Sequence, residues 1–535
     1  MPKMSSPQRG LNWLLEIENW DFYFMPSKVF SAATLGLACQ PIEVEVDMTP
    51  GLHSFQIVGL PDTAVNESKE RVSSAVKNSG ATPPHHTNRR VIVNLAPADI
   101  KKAGPAYDLP IAIAYLLASE QLLATEIGNK LFVGELSLEG KLRPVNGVLS
   151  IALMARERGF KTLFVPKENA REAALVKEIT VFGAKTLGEL FLHLENKQPL
   201  LPEEATDLDL LSSSYEQDVD MAYIKGQEHA KRALEVAAAG HHNILMSGPP
   251  GAGKTLLAKT LPTILPPLLF EEALEVTKIF SIAGRLNADL PIITSRPFRT
   301  PHHTASSVAL VGGGNNPRPG EITLAHRGVL FLDEFPEFHR DVLEALRQPL
   351  EDGVITVSRA SGSLDFPAKF MLVAAMNPCP CGHATNPQKQ CTCSPAQVSK
   401  YKRRISGPLA DRIDLHIEVP AIKYDKLAGE KSGEESISVR ARISRARNQQ
   451  RERFAHDRIH TNAEMKIPHL KKYCQLDSTG QELLKNAVNN LKLSARSYHR
   501  ILKIARTIAD LDNSENIEHR HLSEALQYRP REENF

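Results

Sequence analysis

Residues 242–261 read HNILMSGPPGAGKTLLAKTL. The apolar residues ILM predict a strand, and LLAKTL predicts the helix that follows a glycine-rich loop. This loop has the pattern G-x-x-x-x-G-K-[ST], in which backbone N–H groups and the lysine surround nucleotide phosphates and the hydroxyl reaches Mg²⁺. The pattern therefore predicts an ATP and Mg²⁺ site. Its predicted contact residues are Gly248, Pro249, Pro250, Gly251, Ala252, Gly253, Lys254, Thr255 and Leu256.

Two later apolar strands end in polar residues. GVLFLDE, residues 328–334, ends in Asp333 and Glu334, and MLVAAMN, residues 371–377, ends in Asn377. Together with Thr255, Asp333 is predicted to hold Mg²⁺, and Glu334 is predicted to polarise the attacking water. Asn377 is predicted to hydrogen-bond that water or the γ-phosphate. With Lys254, these residues form the predicted catalytic set.

This three-strand arrangement resembles the AAA+ ATPases, which have a P-loop α/β domain followed by a helical lid. In that family, Asn377 corresponds to the sensor 1 position. The resemblance implies that Arg412, in GPLADRIDL, is an arginine finger that reaches the neighbouring subunit's nucleotide. It also implies that Arg496, in LSARSYHRILKIARTIADL, is the sensor 2 arginine of the lid. An arginine finger requires a homo-oligomer, and the family implies a hexameric ring.

A narrower resemblance covers nearly the whole chain from about residue 27. GQEHAKRALEVAAAG, FRTPHHTASSVALVGGG and RPGEITLAHRGVLFLDE are similar to magnesium-chelatase-like ATPases. VGLPDTAVNESKERVSSA and VNLAPADIKKAGPAYDLPIAIA are similar to the ComM (YifB) family. That family implies a hexameric, ATP-driven DNA motor of the branch-migration or helicase type, acting in recombination and natural transformation.

The N-terminal segment KKAGPAYDLPIAIAYLLAS resembles the Lon-type protease domain, whose α+β fold is that of ribosomal protein S5 domain 2. That protease needs a serine nucleophile and a lysine base. The family's serine position falls on Ala106 and its lysine position on Leu149. We therefore expect no proteolysis. An assembly platform or a DNA-facing platform is the predicted role.

A chain of 535 residues predicts roughly three domains. Residues 198–221 have no lysine or arginine and are typical of a linker. The predicted division is an N-terminal extension at 1–26, a Lon-like domain without a catalytic dyad at 27–195, an acidic linker at 196–222, an AAA+ core at 223–425 with a Cys-rich insertion at 379–393, and a helical C-terminal lid at 426–535.

Four of the six cysteines crowd into the insertion as CPC and CTC. Two close cysteine pairs across a Gly/Asn/Pro loop predict a structural Zn²⁺ site with four sulfur ligands. The C-x-C spacing is tighter than the usual C-x-x-C, so reduced thiols, redox-sensitive pairs or a ligand role for His383 stay open. The predicted ligands are Cys379, Cys381, Cys391 and Cys393, with Lys389 at the tip of the loop.

Local basic segments are the predicted DNA contacts, because the net charge is only +2. VALVGGGNNPRPG is a glycine-rich insertion, and ITVSRASGSLDFPAKF predicts a hairpin with its turn near residues 360–363. Arg318, Arg359 and Lys369 are their charges, with ordinary surface exposure as the equal alternative. KYKRR, residues 400–404, is a further basic segment. A helix-like run adds a stripe that is either solvated or faces a polyanion, formed by Arg440, Arg442, Arg445, Arg447, Arg451 and Arg453, with Glu452 as its internal counter-charge.

Three functions remain open. An ATP-driven DNA motor leads. A magnesium-chelatase-like ATPase that remodels a protein partner is the alternative, and a ring-shaped scaffold in which nucleotide only drives assembly is the third. Because the sequence has no apolar run of eighteen residues, we expect no membrane partner. Clustered cysteines in a long chain favour a reducing, cytoplasmic compartment.

Overall fold

In the computed structural model, the described residues are 26–124, 126–204, 219–287, 289–314, 317–359, 362–385, 389–421, 433–457, 459–491 and 493–529. They divide into two compact units, the first made of residues up to 206 together with 287–291 and the second made of the rest. The predicted extension at 1–26, except residue 26, and residues 205–218 of the predicted linker lie outside the described residues. Within the described ranges, no helix combines the length and apolar character needed to cross a lipid bilayer.

A seven-stranded mixed sheet organises the first unit, in the order β3-β4-β2-β1-β5-β8-β9. The long hairpin β1–β2 pairs antiparallel, whereas β1, β5, β8 and β9 run parallel. Alternating buried residues of β2 and β4 face one core, as expected for strands covered on one side. The strands are β1 Ser27–Leu35, β2 Ala38–Pro50, β3 Ser54–Val58, β4 Arg89–Ala96, β5 Lys130–Phe132, β6 Glu135–Leu136, β7 Leu142–Arg143, β8 Thr162–Pro166 and β9 Thr180–Ala184.

The apolar helix α3 is almost wholly buried in this first core. Ala106 lies in the 3₁₀ turn Pro105–Tyr107 directly before α3, and Leu149 is buried in the first turn of α4. The two positions at which the protease family has its nucleophile and base therefore hold a methyl group and an isobutyl group. The helices of the first unit are α1 Thr63–Asn66, α2 Ser68–Asn78, α3 Asp108–Ala118, α4 Val148–Glu157, α5 Lys167–Ala173 and α6 Leu187–Leu194.

The second unit is built on a five-stranded sheet in the order β11-β14-β17-β10-β18, with all strands parallel. β14 and β17 are continuous buried apolar runs, which is the pattern of parallel strands covered on both faces. The strands of this unit are β10 Ile244–Ser247, β11 Phe298–Arg299, β12 Gly312–Gly313, β13 Arg318–Pro319, β14 Val329–Leu332, β15 Val354–Arg359, β16 Gly362–Pro367, β17 Met371–Met376 and β18 Leu415–Glu418.

Helices surround this sheet and continue to the carboxyl end. A single apolar core joins β10, β14 and β17 to the C-terminal helices α16, α19 and α20. The helices are α7 Glu228–Gly240, α8 Lys254–Ile264, α9 Phe270–Ile282, α10 Ser307–Val311, α11 Glu321–Leu324, α12 Arg340–Ala345, α13 Arg347–Asp352, α14 Pro395–Lys402, α15 Gly407–Ala410, α16 Ser436–Arg453, α17 Ile467–Tyr473, α18 Ser478–Asn490, α19 Ala495–Leu511 and α20 His519–Gln527.

Candidate active site

The phosphate loop connects β10 to α8. Its first glycine must remain a glycine, because a Cβ on Gly248 would lie 2.1 Å from the carbonyl oxygen of Val419. The Lys254 side chain turns back over the loop and donates to the carbonyl oxygens of Gly248 at 2.6 Å and Pro249 at 3.0 Å. Burial lowers the pKa of Lys254, and the Asp333 carboxylate opposes that shift.

The predicted Mg²⁺ ligands meet beside this loop. The hydroxyl of Thr255, in the first turn of α8, donates to Oδ2 of Asp333 at 2.8 Å, although the two residues are far apart in the chain. Asp333 follows β14, and its Oδ1 accepts the backbone N–H of Glu334 at 2.9 Å. A hydroxyl and a carboxylate in contact are hard oxygen ligands of the kind Mg²⁺ prefers, so these residues fit the ion.

Asn377 follows β17, the strand between β10 and β14. Its Oδ1 accepts a hydrogen bond from Lys254 Nζ at 3.2 Å. The backbone N–H of Asn377 in turn hydrogen-bonds the hydroxyl of Tyr401 on α14, and burial raises the pKa of that hydroxyl to about 12. The structure thus brings the predicted lysine, threonine, aspartate and asparagine together at one edge of the sheet.

Glu334 has a partner that the sequence did not indicate. Nδ1 of His303 lies 3.1 Å from Oε2 of Glu334, and the centroid of the His303 ring lies 4.2 Å from that of His302, with the two rings tilted by 32°. The backbone of Glu334 is left-handed, at φ 50°.

Gln227 is a further residue that the sequence analysis did not predict. Its side chain donates to the carbonyl oxygen of Pro420 at 2.7 Å and approaches that of Ala252 at 3.4 Å. The only sequence signal for Gln227 was its place in the family-like segment GQEHAKRALEV.

Arg412 and Arg496 line one cleft of about 840 Å³, and none of its described lining residues belongs to the phosphate loop. Arg412, after α15, donates to the carbonyl oxygen of Pro408 at 2.7 Å and pairs with Glu351. Arg496 is exposed in the first turn of α19. The structure therefore groups the two arginines with each other and not with Lys254 of the same chain.

The four predicted thiolate ligands form one cluster. Their Sγ atoms all lie within 4.8 Å of one another, and three of the separations are 3.4, 3.6 and 3.7 Å. These distances exclude a disulfide, whose sulfurs are about 2.05 Å apart. They match a tetrahedron with Zn–S bonds of about 2.3 Å, in which neighbouring sulfurs are roughly 3.8 Å apart.

Backbone N–H groups point at the sulfurs of the cluster. Ala384 donates to Cys379 at 3.3 Å, and Cys381 donates to Cys393 at 3.4 Å. Hydrogen bonds from the backbone of His383 and Thr392 lower the pKa of Cys381 to about 5, whereas burial raises the pKa of Cys379. A thiolate is the form that binds metal, so this donor set fits a metal ion. His383 is not part of the cluster of possible ligands.

Two hairpins occupy the positions of the predicted DNA loops. β12 pairs with β13, where Arg318 is exposed, and β15 pairs with β16 in register from Val354 to Arg359. The predicted turn at 360–363 begins with residues 360–361, which lie outside the described residues, as does the Arg359 side chain. Lys369 lies 3.7 Å from Glu464. Lys389 and Arg403 are exposed.

Four of the six arginines of α16, for which a solvated stripe and a polyanion-facing stripe were both open, bind groups of their own unit. Arg442 binds Glu235 at 2.6 Å and also Glu434, and Arg453 binds Asp510. The other two donate to backbone carbonyls of the same unit, Arg440 to Thr263 and Arg447 to Ala238. Acidic side chains and backbone carbonyls outside the run, which the local sequence pattern does not reveal, bind these four side chains. Arg445 and Arg451 are exposed.

Three family models match the chain. One described as "Magnesium chelatase, subunit ChlI" covers residues 220–427, and one described as "Subunit ChlI of Mg-chelatase" covers residues 44–169. The third, "Magnesium chelatase, subunit ChlI C-terminal", covers residues 433–529. The matched segments include the phosphate loop, Asp333, Asn377, Arg412 and Arg496.

Full-length relatives match across both units. The "Competence protein ComM" of Haemophilus influenzae is 45% identical over 505 residues, which is 94% of this chain and 97% of that protein. The YifB protein of Escherichia coli K12 is 44% identical over 504 residues, which is 94% of this chain and 97% of that protein. Lon protease 1 of Bacillus subtilis is 25% identical over 162 residues, which is 28% of this chain and 20% of that protein.

Proposed function

The chain belongs to the ComM and YifB family of magnesium-chelatase-like AAA+ ATPases, and from that premise we propose that it is an ATP-driven DNA motor. It works as a hexameric ring and migrates branched DNA during recombination, as in natural transformation. The observation that carries the ATPase part is the convergence of Lys254, Thr255, Asp333 and Asn377 at adjacent strand ends.

Each residue of this site has a separate role in phosphoryl transfer to water. Lys254, released from the loop carbonyls by nucleotide, neutralises the β- and γ-phosphates. Thr255 and Asp333 hold Mg²⁺, which supplies charge stabilisation when bound. Glu334 polarises the attacking water, and Asn377 orients that water or the γ-phosphate. Polar side chains at the ends of neighbouring parallel strands supply positioning with little covalent chemistry, which is what phosphoryl transfer needs.

The separation of the two arginines from the phosphate loop supports assembly into a ring. An arginine that stabilises the transition state must reach the γ-phosphate, yet Arg412 and Arg496 share a cleft with no described phosphate-loop residue. A second copy that inserts its nucleotide at this cleft would complete the site. Repeating that head-to-tail contact closes a ring.

The hairpins β12–β13 and β15–β16 support the DNA part of the proposal. Each is a short antiparallel ribbon separate from the parallel sheet, and Arg318 is exposed on the first. Exposed cations on ribbons that face a pore would contact the phosphate backbone without reading the sequence of bases. Such contacts suit a motor that must move along any DNA.

The four-cysteine cluster is proposed to bind one structural Zn²⁺ ion per chain. The sulfur separations support tetrahedral coordination, and the N–H groups aimed at sulfur favour thiolates. Cys379, Cys381, Cys391 and Cys393 would supply all four ligands, which leaves no open coordination position for catalysis.

The test is steady-state ATP hydrolysis by the full chain, alone and with single-stranded DNA, duplex DNA or a four-way junction. Lys254→Ala serves as the blank, because it removes the phosphate-binding cation. We expect stimulation by DNA that is greatest with the junction, and ATP-dependent displacement of a strand from the junction. Robust hydrolysis that is indifferent to all three DNAs would overturn the DNA motor and favour remodelling of a protein partner. Absence of hydrolysis under every condition would leave only the scaffold.

A further inference from the structure

The cysteine cluster touches the phosphate loop directly. Gly382, the residue after Cys381, packs so closely on Pro250 that a Cβ built on it would lie 2.6 Å from Cδ and 2.7 Å from Cγ of that proline. The same Cβ would lie 3.9 Å from Cγ of Asn377. The backbone of Gly382 is left-handed, at φ +81°, and its N–H closes a turn on the carbonyl of Cys379 at 2.9 Å. The turn that carries Cys379 and Cys381, two of the proposed metal ligands, therefore lines the phosphate loop.

Little besides the proposed metal fixes the position of this turn within the cysteine loop. Among the described residues from 380 to 394, Gly382 alone is buried, and the others are partly or fully exposed. A loop that buries so little apolar surface gains little from the hydrophobic effect. Small loops of this kind keep a fixed shape through a metal or a disulfide, and the sulfur distances exclude the disulfide.

We propose that metal occupancy of the four-cysteine cluster sets the nucleotide affinity of the phosphate loop through the contact between Gly382 and Pro250. This inference rests on the zinc and ATP sites proposed above. With the metal bound, the turn presses on the Pro250 ring and fixes the loop in the conformation whose N–H groups surround phosphate. Without the metal, the turn is free to move and the loop must be ordered by the nucleotide itself, which weakens binding.

Thermodynamic linkage makes the coupling reciprocal. If the metal tightens nucleotide binding by some factor, the nucleotide must tighten metal binding by the same factor. The coupling can therefore be measured from either side, as nucleotide affinity or as zinc affinity. Neither readout depends on ATP hydrolysis.

The first experiment measures zinc content and the Kd of a fluorescent ADP analogue with Mg²⁺ for purified full-length chains. Cys391→Ser removes one ligand, and Cys39→Ser is the thiol control in the first unit. We expect the wild type and Cys39→Ser to carry one zinc per chain and to bind the analogue equally. Cys391→Ser should lose zinc and bind the analogue at least tenfold more weakly.

A second pair of variants separates the contact from the metal. Gly382→Ala places a methyl group into the Pro250 ring, whereas Gly159→Ala has the same left-handed strain, at φ +82°, with nothing within 4 Å of the new carbon. We expect Gly382→Ala to keep its zinc and to bind the analogue several-fold more weakly. Gly159→Ala should match the wild type in both measurements. Equal affinity of the two alanine variants would overturn the role of the contact.

The third experiment needs no folded variant at the cluster. The zinc affinity of the wild type is measured at equilibrium by competition with a coloured chelator, with and without Mg-ADP, and Lys254→Ala is the control that cannot hold phosphate. Nucleotide should raise the zinc affinity at least tenfold in the wild type alone, since the coupling factor is shared. Equal zinc affinity in both conditions would overturn the coupling and leave the zinc site and the ATPase intact. A chain that neither contains nor takes up zinc would overturn the proposed metal site with it. A wild type that binds no nucleotide would overturn the proposed ATPase.

Discussion

Glu334 combines two features that mark it as a functional position. A non-glycine residue at φ 50° is strained, and such strain persists where the surrounding structure enforces it. Its carboxylate contacts His303 at 3.1 Å and lies one residue beyond Asp333, the proposed Mg²⁺ ligand. The fold therefore fixes both the backbone of Glu334 and the end of its side chain. Such restraint suits a group that must orient one water molecule.

Glu334→Gln is expected to lower the steady-state rate of ATP hydrolysis by roughly 100-fold or more, because an amide cannot polarise water as a carboxylate does. ATP binding should remain within a few-fold of the wild type, since the lysine and Mg²⁺ ligands are unchanged. The two quantities are measured as steady-state rate and as equilibrium binding. Glu271→Gln, an exposed carboxylate at the start of α9, is the matched control. Retention of most of the activity in Glu334→Gln would remove Glu334 from the mechanism.

His416 on β18 makes the second unit sensitive to acid. Burial lowers its pKa from 6.5 to about 4, and the nearby Arg500 adds to the shift. The unfolded chain therefore binds more protons than the folded chain between pH 6.5 and 4, so stability falls as the pH falls through this window. The shift corresponds to about 3 kcal/mol at the lower end of the window.

We expect the thermal unfolding midpoint of the wild type to fall between pH 6.5 and 4, and His416→Gln to flatten that fall. His339→Gln, an exposed histidine before α12, is the control and should leave the slope unchanged. The measurement is a set of thermal scans at fixed ionic strength. Parallel curves for the wild type and His416→Gln would show that another group governs the acid sensitivity.

At the scale of elements, parallel strand order explains why the catalytic set was predictable. Asp333 and Asn377 directly follow apolar runs, Lys254 follows one after the phosphate loop, and the carboxyl ends of adjacent parallel strands meet at one edge. Gln227 and Tyr401 were not assigned to the nucleotide site, because they lie on other elements, and Gly382 was not, because its place depends on the path of the cysteine loop. For the same reason the sequence could not predict the partners of the α16 arginines, because the acidic residues that bind them lie outside that helix.

One of these partners, Asp510 on α19, lies in a buried network. Its side chain is 0% exposed and accepts hydrogen bonds from Arg453, Arg506 and Asn462 at 2.5–3.0 Å. The negative charge of Asp510 compensates the positive charges of Arg453 and Arg506, which have little access to water. Removal of one member of such a network leaves buried charge without a counter-charge.

Asp510→Ala is therefore expected to destabilise the second unit by about 3 kcal/mol or more. In a thermal scan, the midpoint should fall by roughly 5 °C or more. Glu482→Ala on the exposed face of α18 is the control and should change the midpoint little. An unchanged midpoint in Asp510→Ala would mean that solvent reaches the two arginines.

At the scale of the whole molecule, the grouping of Arg412 with Arg496 predicts a specific pattern of rescue. Arg412→Ala lacks the finger but keeps the phosphate loop, and Lys254→Ala has the reverse defect. Each variant alone should hydrolyse little ATP. Mixed in equal amounts before assembly, they should form about one complete site in four, and activity should reappear.

The mixing experiment is read as ATP hydrolysis at a fixed total concentration of chains. Arg412→Ala mixed with the double variant Lys254→Ala and Arg412→Ala is the control, because no pairing of these chains completes a site. Equal inactivity of both mixtures would show that Arg412 serves the nucleotide of its own chain.

If the cleft that holds the two arginines receives the nucleotide of a second copy, as proposed, ATP hydrolysis would depend on the concentration of the chain. If each site needs a second copy, a diluted chain binds ATP but does not turn it over, and the rate per chain rises steeply with concentration as rings close. Copies that lack Arg412 and are produced in the same cell would then inhibit intact neighbours in proportion to their share. The expression level of the chain would then limit the rate of ATP hydrolysis, even when DNA and nucleotide are in excess.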